Sequence, residues 1–203
     1  RPDFVALLQL HNPAPSLLEE RPEILGTLTR LQDEGKLRAF GVSVKGPGEG
    51  VRLLTQLGVP IVQANFNMMD LRAIESGLIE AAMAAGGALI ARTPLCFGFL
   101  TGRISAETQF PPGDHRNGWP REQILRWVAG AQALAEAVGI APGQAMHEIA
   151  LRFCLSFEGV ATVIPGILTA EEAFQNARAS DMGPLPPETL AEIAAVHRRI
   201  RFV

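Results

Sequence analysis

Tyrosine is missing from this chain and lysine nearly so: its 203 residues hold no tyrosine and only Lys36 and Lys45. With no phenol to give up a proton, acid–base chemistry within the chain falls to its 4 histidines or to carboxylates. Cysteine is as sparse. Cys96 and Cys154 lie far apart among apolar neighbours, with no CxxC partner and no histidine at ligand spacing. That pattern excludes a disulfide framework and a thiolate metal site, and it fits reduced thiols. No apolar run approaches the roughly 18 residues of a membrane helix, and no basic start with an apolar core and a small-residue cleavage site marks a secretory leader. Charge is not in excess, at a formal net −3, and Arg198, Arg199 and Arg201 form only a short cluster at a helix end. Nucleic acid and membrane partners are not expected; a soluble, cytoplasmic protein is.

What the chain does have is apolar residues, 47% of it, enough to bury a full core. They fall in short runs alternating with helix-period segments, the sequence form of repeated strand–helix units and a parallel sheet. Strands are predicted over Phe4–Leu10, Leu37–Val42, Ile61–Ala64, Ala88–Ala91 and Val160–Ile164. Helices are predicted over Arg21–Glu34, with Ile24, Leu25, Leu28 and Leu31 on one face, and over Val51–Leu57 and Ile74–Ala85. Glycine follows each of these helices. Beyond the fourth strand the rhythm breaks at Ser105–Pro120, rich in Pro, Gly, Asp and Asn, which reads either as a lid or as a disordered connection. Helices over Arg121–Val138, Pro142–Ser156, Glu171–Ala179 and Pro187–Arg201 complete the pattern.

His11 ends the first apolar run, and Pro13 stops the strand two residues later. A polar ring at the carboxyl end of a strand points to a ligand, because that edge of a parallel sheet is where sites are built. The plain alternative is a histidine merely satisfied at a strand end. His11, His115, His147 and His197 share no ligand spacing, so no metal is expected.

Five segments follow in order, one per strand: Leu7-Leu8-Gln9-Leu10-His11-Asn12-Pro13; Gly35 to Ser43; Val62-Gln63-Ala64-Asn65-Phe66-Asn67; Arg92-Thr93-Pro94-Leu95-Cys96-Phe97-Gly98-Phe99-Leu100-Thr101-Gly102; and Val163-Ile164-Pro165-Gly166 with Gln175-Asn176 downstream. Together they resemble the aldo-keto reductase family, (β/α)8 TIM barrels that reduce carbonyls with a nicotinamide dinucleotide. The resemblance implies that residues 1–203 are the carboxyl-terminal part of one barrel domain, only its last five β/α units, with the strand of His11 as the fourth. His11 would donate to the carbonyl oxygen, where an imidazole N–H beside a developing alkoxide supplies electrostatic stabilisation.

By the same resemblance Ser43 and Gln63 would hold the nicotinamide carboxamide, Gln63 able both to donate and to accept. Ordinary strand-end capping is the alternative for both. The family's asparagine after the serine is replaced here by Val44. Arg92 would stack on the nicotinamide or pair with the pyrophosphate, or else make a surface ion pair. Thr93, Pro94, Leu95, Gly98 and Leu100 resemble the pyrophosphate loop, where close backbone approach calls for a glycine. Pro165 and Gly166 begin the adenosine end, and Gln175 and Asn176 match the adenine pair. The positions that hold a 2′-phosphate offer Gly166, Ile167, Leu168 and Glu172, none cationic. NADP(H) is therefore the family expectation and NAD(H) its rival, since Glu172 would repel a 2′-phosphate or bond a free ribose hydroxyl.

The family's tyrosine, lysine and aspartate belong to strands before that of His11, and the chain opens at Arg1 almost directly into a strand. The expectation is that the first three units were cleaved, disordered or left out, and that the intact protein reduces an aldehyde or ketone while these residues alone are inactive. A second reading is an inactive partial barrel, a binding or scaffold module completed by another chain or by a second copy. A third is a lyase or isomerase that pairs His11 with Asp70 or Asp114. The segment Gln109–Trp119, following the pyrophosphate-like loop, is expected over the dinucleotide or the substrate mouth.

Overall fold

The computed structural model describes residues 3–140, 146–200 and 202. The chain divides into two compact units: Arg1–Phe66 with Leu71–Arg92 and Phe157–Ile164, and Asn67–Asp70 with Thr93–Ser156 and Pro165–Val203.

The first unit holds all five predicted strands: β1 (Val5–His11), β2 (Leu37–Ser43), β3 (Ile61–Asn65), β4 (Ala88–Arg92) and β5 (Val160–Ile164). They form one parallel sheet in sequence order, with β1 and β5 as its edges. Its helices are α1 (Pro15–Glu20), α2 (Glu23–Asp33), α3 (Pro47–Gln56), α4 (Arg72–Glu75) and α5 (Leu78–Ala84).

The helix predicted over Arg21–Glu34 is α2, and a short helix not predicted, α1, precedes it, opened by Pro15, with Pro22 making the turn between them. Two helix predictions are corrected. The helix predicted from Val51 begins at Pro47: the Glu49 carboxylate accepts from the N–H groups of Lys45 and Gly46, 3.1 Å each, and Pro47 suits a first helical turn. The helix predicted over Ile74–Ala85 is broken at Gly77, whose left-handed φ of 72° separates α4 from α5.

One side of the sheet is sealed by helices. Leu8, Leu10 and Phe40 pack with Leu25, Leu28 and Leu31 of α2, along with Leu37. Val42, Val62 and Leu89 on the same side are 0% exposed. Each such side chain contributes about 1.5–3 kcal/mol by leaving water. The residues between them, Gln9, His11, Gly41, Ser43, Gln63, Ile90 and Arg92, point to the other side, because successive strand residues alternate.

The second unit contains α6 (Arg121–Ala137), α7 (His147–Leu155), α8 (Ala170–Asp181) and α9 (Pro187–Arg199), with 3₁₀ turns over Cys96–Thr101 and His115–Gly118. The predicted start of α7 at Pro142 falls outside the described residues. At its other end Ser156 closes the helix, its hydroxyl donating to the Arg152 carbonyl at 2.7 Å and accepting from Leu185 N at 2.8 Å. Thr169 caps α8 by accepting from Glu172 N at 3.1 Å, which starts the helix at Ala170, one residue earlier than predicted. The last helix stops at Arg199 because Ile200 is extended; Arg201 lies outside the described residues.

Candidate functional site

The carboxyl ends of β1, β2 and β3 place polar side chains in one lateral row. In register, His11 lies beside Ser43 and Ser43 beside Gln63; two residues further along, Asn65 of β3 lies beside Arg92 of β4. His11 is exposed, and Ser43 beside it is 3% exposed.

Side-chain bonds join this row into a chain. Gln9 Nε2 donates to Gln63 Oε1 at 3.0 Å, Gln63 Nε2 to Ser43 Oγ at 3.4 Å, and Ser43 Oγ to Asn12 Oδ1 at 3.2 Å. Gln9 and Gln63 sit two strands apart, roughly 9.6 Å at the usual spacing, yet their amides meet. The residue in register with Gln9 on the strand between them is Gly41, which carries no side chain to block the bridge. A Cβ there would also come 2.6 Å from the Ile61 carbonyl oxygen. Asn12 turns at φ 54°, in the left-handed region that asparagine tolerates best after glycine, and its N–H donates to the Ser43 carbonyl at 3.0 Å.

Arg92 makes a backbone contact here. Its Nη2 donates to the Val44 carbonyl at 3.0 Å, tying the end of β4 to the end of β2. Val44 itself is 0% exposed, so the position where the resemblance places an asparagine is core.

The remaining candidates belong to the second unit. Thr93 turns at φ 53°, and its carbonyl accepts from Asn67 Nδ2 at 3.0 Å and Cys96 N at 2.9 Å. The Leu95 carbonyl accepts from Gly98 N at 2.9 Å and Leu100 N at 3.2 Å, so those N–H groups close the loop on itself. Gly98 is required by its φ of 95°. Pro94 is buried. Phe97, at φ 55°, packs edge-on against Trp119 at 4.9 Å and His115 at 5.8 Å and stacks on Trp127 at 6.0 Å.

The segment read from sequence as a lid or a disordered connection is tied to this loop. Arg116 donates to the Phe97 carbonyl at 3.0 Å and through Nε and Nη2 to both Asp114 oxygens at 2.9 and 2.6 Å. The Arg116 hydrogen bonds, side chain then backbone, hold the Asp114 carboxyl at about 2, below its ordinary 3.8. Cys96 is buried and pushed up to about 12 by desolvation and then by the Asp70 charge; burial also raises Cys154. Burial thus disfavours the thiolate form at both.

At the start of α8, Glu172 is engaged on both oxygens. One accepts from Leu168 N at 2.8 Å and the other lies 3.6 Å from Arg103 Nη1. Gln175 donates to Glu171 at 2.7 Å, and Gln175 and Asn176 are half-buried. Pro165 is half-buried, whereas Gly166 and Leu168 are exposed, Leu168 by 92%. Among the described residues no helix is long and apolar enough to cross a membrane, and no three His, Cys, Asp or Glu side chains gather as a metal site.

Five parallel strands joined by helices define an α/β fold, and its carboxyl-terminal sheet edge, where such folds place their ligand sites, carries hydrogen-bonded polar side chains. The chain belongs to the aldo/keto reductase family, which it matches over residues 2–198. It is 25% identical over 96% of its length to a probable voltage-gated potassium channel subunit beta of Oryza sativa subsp. japonica, and 26% identical over 84% to L-glyceraldehyde 3-phosphate reductase of Escherichia coli O157:H7. It spans 62% and 52% of those two relatives. Its fold is similar to that of aldo-keto reductase AKR11C1 from Bacillus halodurans in the holo form, at TM-score 0.72 and 21% identity, covering 99% of this chain and 60% of that one.

Proposed function

We propose that this chain supplies five of the eight β/α units of an aldo-keto reductase barrel, and that the completed barrel reduces an aldehyde or ketone to an alcohol with a nicotinamide dinucleotide. The observation that carries this reading is the row His11, Ser43 and Gln63 in register across three parallel strands, with Ser43 and Gln63 already hydrogen-bonded. An amide and a hydroxyl side by side fit the donor and acceptor set of a carboxamide. Bound there, the dinucleotide would supply the hydride.

His11 has the exposure needed to present an imidazole N–H to a carbonyl oxygen and steady the negative charge developing on it. Arg92, tied to Val44, would close the rim behind the ring. In the second unit the proposed cofactor residues are Thr93, Pro94, Leu95, Gly98 and Leu100 for the pyrophosphate and Pro165, Gly166, Gln175 and Asn176 for the adenosine. NADP(H) is the cofactor by family, and NAD(H) is favoured on chemical grounds because Glu172 stands where a 2′-phosphate would need a cation.

In this reading the phenol that donates the proton comes from outside these residues. With no tyrosine, and with Lys36 paired to Glu34 at 2.6 Å at the foot of β2, nothing here can act as a tyrosine–lysine pair. Three further strands joining the β1 and β5 edges would supply one, from the same polypeptide or from a complementing chain, in a cytoplasmic protein. The second reading, a binding or scaffold module without redox activity, rests on the same missing phenol.

The test is oxidation of NADPH and NADH against a panel of aldehydes and ketones by the completed barrel, this chain together with strands that supply the phenol, beside calorimetric titration of both cofactors into the chain itself. Turnover supports the reductase. Binding without turnover supports the binding module, and no binding by either cofactor contradicts the dinucleotide reading.

A further inference from the structure

Asn12 follows His11, the last residue of β1. The Asn12 side chain ends the hydrogen-bonded chain that begins at Gln9, and the bonds run in one direction along it. Gln63 Oε1 takes a proton from Gln9, so the Gln63 amide turns its N–H toward Ser43; Ser43 Oγ accepts it and spends its own single proton on Asn12 Oδ1. The Asn12 carbonyl is thereby used, and its Nδ2 is the end of the chain, on a half-buried residue that follows His11. The left-handed φ of 54° holds the amide at this point.

At the other end Gln9 Oε1 is buried without a hydrogen-bond partner. Gln9 leaves that acceptor unsatisfied while its Nε2 is spent on Gln63, so its side chain serves the neighbour.

We propose that Asn12 is a binding residue for the carbonyl oxygen of a primary carboxamide, that of a nicotinamide ring, and that Gln9 is its positioning residue, acting through Gln63 and Ser43. This rests on the dinucleotide reading above and adds to it two residues that reading did not assign. Val44 is core, so the second amide beside Ser43 is supplied from the neighbouring strand, where Asn12 follows the register partner of Ser43.

The experiment is calorimetric titration of the full chain with NADH, NADPH and ADP-ribose, which lacks the nicotinamide, for the wild type, Asn12→Asp, Asn12→Gly and Gln9→Leu. Asp keeps the acceptor for Ser43 and the tolerance of positive φ but removes the donors; Gly removes the amide without adding charge. Both are expected to weaken NADH and NADPH about tenfold, the scale of one lost hydrogen bond, and to leave ADP-ribose within about twofold. Gln9→Leu is expected to give the same selective loss, about threefold, together with a changed ¹⁵N shift of the Gln63 side-chain amide. Equal losses for NADH and ADP-ribose, or unchanged NADH binding in both Asn12 variants, would overturn the proposal. Absence of any dinucleotide binding by the wild type overturns the cofactor reading itself and the ligand role of Asn12 with it. The Gln63 amide shift in Gln9→Leu then still decides whether the chain of bonds exists.

Discussion

The two sides of the sheet are written in different chemistry. Toward the helices the strands carry Phe40, Val42, Val62 and Leu89, sealed from water, with Leu8 and Leu10 partly buried, all held by apolar area. On the other side, one residue along each strand, stand Gln9, His11, Ser43, Gln63 and Arg92; directional bonds of little net stability join Gln9, Gln63 and Ser43 and tie Arg92 to the Val44 carbonyl. Packing holds the strands in register, and the register sets the polar row.

That contrast predicts opposite responses to truncation. Leu89→Ala, on the sealed side, should cost about 2–5 kcal/mol in urea unfolding, because the removed methyl groups leave a cavity between strand and helices. Gln63→Leu, on the open side, should cost no more than about 1.5 kcal/mol in the same measurement while reducing NADH binding by about tenfold or more in calorimetry. Equal stability losses in the two variants would erase the distinction.

Away from the sheet the effects should be smaller. Glu172→Gln removes a carboxylate that Arg103 only partly offsets, and should shift the ratio of NADPH to NADH affinity toward NADPH by about twofold to fivefold, the range of an exposed ion pair. The smallest is a pH effect. The Asp114 carboxyl is depressed in the folded chain, so its contribution is complete above its ordinary 3.8 and is lost as pH falls through about 2. Arg116 should then release the Phe97 carbonyl and loosen the contacts among Phe97, His115 and Trp119, seen as a change in tryptophan fluorescence over that window. Asp114→Asn should flatten that acid response.

The strands were legible because apolar runs of strand length, bounded by Gly and Pro, admit few other readings; the prediction placed Val160–Ile164 as observed. The start of α3 was not, since Gly46-Pro47-Gly48 reads as a loop until the Glu49 carboxylate is seen closing on Lys45 and Gly46. His11, Ser43 and Gln63 stood out as polar residues ending apolar runs. The bridge from Gln9 to Gln63 could not, because it joins residues 54 apart and depends on Gly41 having no side chain. A weak signal for Gln9 did exist, two residues before His11 and so on the same side of the strand. The order of Ser105–Pro120 was hidden for a similar reason: it hangs on Arg116 reaching the Phe97 carbonyl, 19 residues back.

The most direct test of the polar rim as a nicotinamide site is a titration of the ¹⁵N-labelled full chain with NADH, read at the backbone amides. The account predicts saturable shifts at His11, Asn12, Ser43, Gln63 and Arg92, with the sealed-side residues Val62 and Leu89 unmoved. Saturable shifts that bypass those five positions, or none at any concentration, would contradict it.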